Sequence, residues 1–148
     1  AVPLIEFALE TGMRRSEILR STWHDVDFKR KTLLIPVSKN GYPRTIPLSV
    51  KAIKIIQSLK AVNQVTQKND ERIFPITANS VRSIVRVIKK QTKISDFRFH
   101  DLRHEAITRF FEKGLSVPEV SLISGHRDYK MLHRYTQITA EDIVPKLK

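Results

Sequence analysis

Four short stretches of this chain carry side chains able to act together on one charged group. TGMRRSE (11–17) sets Arg14 just past a glycine turn, with Glu17 behind it. Lys39 stands at the tip of a turn, in SKNG (38–41). HDLRH (100–104) puts His100 and Arg103 three apart, and so on one side of a helix. GHRDYKMLHRYTQ (125–137) places His126 nine positions ahead of Tyr135, amid positive charge. Two arginines clamp the non-bridging oxygens of a phosphodiester and match its growing charge in the transition state. A tyrosine can supply the attacking oxygen; a phenol with a pKa near ~10 is protonated at neutral pH and needs neighbouring bases or cations. A lysine can protonate the departing alkoxide, and histidines can hydrogen-bond or shuttle protons.

Other chemistries find less support. There is no GxxxxGK[ST] phosphate loop and no GxSxG elbow, and the absence of cysteine removes disulfides and thiolate metal sites. His100 and His104, four apart, with His126 as a third ligand, form a minority zinc reading, which Arg103 between the pair opposes electrostatically. Taken singly, each candidate also has a plain alternative. Arg14 beside Arg15 is an ordinary solvated pair in most sequences, an isolated tyrosine defaults to a half-buried aromatic, and His104 reads best as structural. Lys31 is a weaker competitor for the role of Lys39.

The elements that must position these groups follow from periodicity. Leu4, Ile5, Ala8 and Leu9 predict a first helix stopped at Thr11-Gly12, and a second runs roughly from Ser16 to Thr22. Alternation at 25–28, TLLIPV (32–37) and RTIPL (44–48), with Asn40-Gly41 as hairpin turn, predicts a small antiparallel sheet of about three strands. Ser49 caps a helix bearing Ile53, Ile56 and Leu59, after which 62–72 reads as a loop or frayed end. A helix from near Asn79-Ser80 spaces Val81, Ile84, Val85 and Ile88 for burial, and its other side carries Arg82, Arg86, Lys89 and Lys93 without an acid nearby. Further helices cover 101–113 and the stretch from Ser116 to Gly125, opened by a Ser116/Glu119 capping box. Met131 and Leu132 give the tyrosine segment an apolar side, as a short amphipathic helix would have. The fold class is α+β, mainly helical with one small sheet.

With 148 residues the chain is one domain, and 27 Lys and Arg against 15 Asp and Glu leave a net charge of +12. Such an excess points to a polyanionic partner, nucleic acid first, and the basic stripe on 82–93 to phosphate contact. No apolar run approaches a membrane span, and the start has no signal-peptide pattern. With its first helix under way by Leu4, the chain reads as a fragment of a longer cytoplasmic protein.

In this order and at these separations, TGMRRSEIL with STWHDVDF, the KNG hairpin with RTIPL, FHDLRH, and LISGHRDYKMLHRYTQ resemble the catalytic domain of the tyrosine recombinases, the phage-integrase class, over residues 1–148. The resemblance implies a site-specific recombinase, phage- or mobile-element-encoded, whose Tyr135 attacks the scissile phosphate of double-stranded DNA at specific sites and forms a 3′-phosphotyrosyl enzyme. It implies Arg14 and Arg103 on the phosphoryl oxygens and Lys39 as acid toward the leaving 5′-oxygen. His100 would deprotonate or position Tyr135, and His126 would donate to a non-bridging oxygen. Glu17 would support the site from behind, with His104 outside its first rank. Neither ATP nor metal is implied. Gln137 departs from the histidine many members carry there. The family's N-terminal DNA-clamping domain is absent from the sequence, and the homotetramer implied on DNA belongs to the full-length protein, so that this fragment can be a monomer. A type IB topoisomerase, sharing the chemistry, and a non-catalytic DNA-binding module keeping the fold are the alternatives.

Overall fold

A computed structural model describes residues 1–36, 43–66, 70–126, 129–135 and 139–147. Lys39 and the Asn40-Gly41 turn therefore lie outside the described residues, as does Gln137. Helix α1 (Val2–Thr11) ends where Gly12 takes a left-handed φ of 66° and returns its amide to Ala8 O. Helix α2 (Arg15–Arg20) follows at once, with Arg14 as its extended N-cap residue. Strands β1 (Val26–Asp27), β2 (Thr32–Ile35) and β3 (Arg44–Pro47) form an antiparallel sheet in sequence order, with Leu33 opposite Ile46 and Ile35 opposite Arg44.

Helix α3 (Val50–Thr66) has its first turn capped by the Ser49 hydroxyl, which accepts from Ala52 N at 3.1 Å. It runs on through 62–66, residues expected to be a loop or frayed end: nothing there is glycine or proline, and Val62 and Val65 are simply exposed helix positions. Helix α4 (Ala78–Thr92) is capped by Thr77 and packs on α2. Only its Val81 is fully buried; Ile84, Val85 and Ile88 are half-covered, because few elements lie against this helix.

Helices α5 (His100–Glu112) and α6 (Val117–Ser124) complete the core, the latter opened by the Ser116/Glu119 capping box and closed by Gly125 in the left-handed region. The short helix expected around Met131 and Leu132 is a 3₁₀ segment, Tyr129–Tyr135. Its tighter winding buries Leu132 completely and leaves Met131 exposed, so only one of the two apolar residues packs. Helix α7 (Ala140–Ile143) and a 3₁₀ turn (Val144–Lys146) follow. The core joins α1, α3, α5 and the sheet through Phe7, Met13, Ile18, Leu33, Ile46, Ile56 and Ile107, each close to fully buried. Burying such side chains contributes roughly 1.5–3 kcal/mol apiece. No helix among the described residues is long and apolar enough to cross a membrane.

Candidate active site

The turn between α1 and α2 meets the C-terminal end of α6, and the arginines gather at that junction. Arg103, on the inward side of α5, is 3% exposed and spends both terminal nitrogens on backbone: Nη1 donates to Gly12 O at 2.8 Å and Nη2 to Ser124 O at 2.6 Å. Arg14 Nη1 reaches the same Ser124 carbonyl at 3.5 Å. Arg14 thus meets an acceptor 110 positions away in sequence and shares it with Arg103. Burial, and then the nearby Arg14 charge, push the Arg103 guanidinium well below its ordinary value, down to about 9; it remains cationic at neutral pH.

Glu17 is buried beneath them at 3% exposure. Its Oε1 accepts from the Arg14 amide at 2.9 Å, and its two oxygens take a bidentate pair from Arg44 at 2.6 and 2.9 Å. Burial alone would raise the Glu17 pKa; the hydrogen bonds from Arg44 and from the Arg14 backbone outweigh it and hold the carboxyl below its ordinary value. Arg44 Nε also donates to Ile123 O at 2.9 Å, fastening β3 to the end of α6. Gly125 is required at this seam twice over. Its φ is +79°, and a Cβ there would lie 3.1 Å from the Arg44 guanidinium.

The three arginines against one glutamate leave the junction with two uncompensated positive charges, an arrangement suited to an anion. Tyr135 approaches from the 3₁₀ segment, its ring stacked beside Phe111 and His104. Its hydroxyl is hydrogen-bonded to His104 Nδ1. His100 meets the His104 ring edge-on, with centroids 4.7 Å apart. Burial first, and then His104, Arg103, Arg14 and Arg98, press the His100 pKa below its ordinary 6.5. His126 is held by Ser124, whose hydroxyl lies 2.7 Å from Nδ1 and accepts the His126 amide at 3.3 Å.

Arg14, Glu17, Arg103, His104, His126 and Tyr135 are thus tied into one region through Ser124, α5 and the tyrosine segment. One contact with the phenol comes from His104, expected to be structural, and His100 touches His104. Arg44 and Ser124 were not foreseen as members. Arg44 carried a usable signal: it shares a strand face with Ile46 and Leu48, both buried, and a cation on a core-facing position must find a partner. Ser124 acts largely through its backbone carbonyl, which no side-chain pattern announces. Lys31, the alternative lysine, is exposed in a left-handed turn (φ 58°).

Arg82, Arg86, Lys89 and Lys93 lie outside this cluster. Arg82, Arg86 and Lys89 instead edge a groove of about 330 Å³ with Arg15 and Arg98, floored by Val81, Val85, Phe97 and Phe99. Lys93 is exposed at the end of α4. Among the described residues no group of three or more His, Cys, Asp or Glu is placed to hold a metal ion.

The phage integrase family model matches residues 2–142. A shufflon-specific DNA recombinase of Escherichia coli is 41% identical over 145 residues, covering 97% of this chain and 36% of that protein. The integrase of Salmonella phage P22 is 26% identical, covering 91% of this chain and 38% of its own length. The chain therefore spans little more than a third of these curated relatives. Among solved structures, the Tn1549 transposon integrase in complex with circular intermediate DNA superposes with a TM-score of 0.76 at 22% identity, over 99% of this chain and 56% of that one. The catalytic domain of bacteriophage HP1 integrase gives 0.70 at 21%, over 97% and 79%. These likenesses carry the same mainly helical α+β fold with its three-stranded sheet, and on the family match the chain belongs to the phage integrase family.

Proposed function

We propose that this chain is the catalytic domain of a tyrosine-type site-specific DNA recombinase. The observation that carries the reading is the Tyr135 hydroxyl on His104, set beside an arginine pair that converges on Ser124 O. The 41% identity to a DNA recombinase across nearly the whole chain supports it. In the proposed reaction the Tyr135 oxygen attacks the scissile phosphorus as its proton passes to a histidine. The bond from phosphorus to the 5′-oxygen breaks, leaving a 3′-phosphotyrosyl protein and a 5′-hydroxyl. Arg14 and Arg103 balance the charge on the non-bridging oxygens, His126 donates to one of them, and Lys39 protonates the leaving oxygen. Rejoining runs the same steps backward with the 5′-hydroxyl of a partner strand. Energy stays in the phosphotyrosine bond, so the proposed cycle needs neither ATP nor metal. Duplex DNA bearing specific sites would lie along the α4 cations, with a homotetramer of the full-length protein as the working assembly.

A nicked suicide substrate carrying the cognate site tests this directly. A covalent protein–DNA adduct is expected in EDTA, and peptide mapping should place the DNA on Tyr135. Linkage through another residue, or an adduct that requires metal, would overturn the assignment.

The same assay separates the two α5 histidines. Because His104 contacts the phenol, His104→Ala should slow adduct formation about 10²–10⁴-fold, the usual range for general acid–base groups. His100→Ala should cost less. A larger loss at His100 would return the proton-accepting role to that residue.

A further inference from the structure

Arg14 has an acid for a close neighbour, which is a poor arrangement for a phosphate ligand. Arg14 Nη1 lies 3.7 Å from Glu17 Oε2 and both side chains are largely buried, where ion pairs are weakly screened. Left alone with Arg14, Glu17 would compete with any phosphate for that guanidinium and repel the phosphate as well. The structure gives Glu17 a better partner. Arg44 engages both carboxylate oxygens, at 2.6 and 2.9 Å, from a side chain 10% exposed and pinned at Nε by Ile123 O. Planar bidentate pairing of this kind satisfies both groups and fixes their geometry.

We propose that Arg44 is a positioning residue that engages Glu17, so that the Arg14 guanidinium stays available and aimed for a phosphate. This deepens the reading above, on which Arg14 is a phosphate ligand. Glu17 then has one task, orienting the N-cap of α2 through the Arg14 amide, and Arg44 removes the electrostatic side effect of having it there. The same guanidinium ties β3 to α6 beside Gly125, so the charge and the seam are set by one side chain.

The test is a charge-removal cycle with two readouts: adduct formation on the nicked substrate, and affinity for inorganic phosphate followed by NMR. Each protein is measured below its own melting transition. Arg44→Gln should slow adduct formation about 10²-fold, the loss typical of one transition-state contact, and weaken phosphate binding in parallel. Arg44→Gln with Glu17→Gln, which removes both charges, should recover to within about tenfold of wild type. A purely structural Arg44 gives no such recovery in phosphate affinity. Arg44→Lys keeps the charge with fewer contacts and should fall between; it replaces Arg44→Gln if that variant does not fold. Wild-type rates and phosphate affinity in a folded Arg44→Gln protein, or a double variant no better than the single, would overturn the proposal. A wild-type protein that forms no adduct, yet loses and regains phosphate affinity through this cycle, would refute the recombinase reading and leave the role of Arg44 standing.

Discussion

Tyr135→Phe is expected to form no covalent adduct with DNA while keeping its fold and most of its DNA affinity. The ring is seated by stacking on Phe111 and His104, with Leu132 fully buried in the same 3₁₀ segment, and phenylalanine preserves all three supports. What is removed is one hydroxyl and its hydrogen bond to His104, a net loss of about 0.5–1.5 kcal/mol. At two to four degrees per kcal/mol for a chain of this size, the Tm should move by only about 1–6 °C. The chemical effect is of another order, because the variant has no oxygen with which to attack phosphorus. Gel detection of trapped DNA, alongside thermal denaturation, reads both quantities. Undiminished trapping would show that the nucleophile lies elsewhere.

Arg103→Met should be costly to the fold as well as to the reaction. Its guanidinium is the donor for two carbonyls, Gly12 O and Ser124 O, that lie far apart in the sequence. Gly12 O would lose its Arg103 donor and Ser124 O would keep only the longer one from Arg14; an unpaired buried acceptor costs about 1–3 kcal/mol. Some of that is offset by relief of the desolvation that already presses the group down to about 9. A net loss of about 2–4 kcal/mol, or roughly 5–15 °C in Tm, is expected. Arg103→Lys retains a charge but lacks the fork that reaches both carbonyls, so it should lose less stability. Its adduct formation should still fall about 10²–10³-fold. A Tm unchanged in Arg103→Met would mean that the carbonyls find other donors and that Arg103 does not join the two segments.

The contrast between these residues shows what side-chain patterns reveal and what they conceal. Arg14 and Arg103 stand out in the motifs TGMRRSE and HDLRH, and the structure brings both guanidinium groups to Ser124 O; their part in holding a phosphate belongs to the proposal. The sheet is legible from alternation, since β2 and β3 each bury one face. The hydrogen bond from His104 to the phenol is not legible in the sequence. Both lie on one helical face, and only the docking of 129–135 onto α5 decides which ring meets the phenol. Periodicity describes Arg44 only as a strand residue and says nothing of its pairing with Glu17. The 3₁₀ winding of Tyr129–Tyr135 likewise depends on tertiary packing, which overrode the amphipathic pattern of Met131 and Leu132.

The sequence distances spanned by these contacts have a consequence for how activity is born. Arg14 meets Ser124 across 110 residues, Arg103 meets Gly12 across 91, and Arg44 meets Ile123 across 79. Closing such loops is entropically unfavourable until the intervening core has formed, so these contacts belong to the late, slow part of folding. A partly folded or nascent chain holds the arginines and the tyrosine as separate pieces. The proposed strand-cutting ability should therefore arise in one cooperative step with the native state, and refolding followed by adduct formation should show no phase faster than the burial of α6.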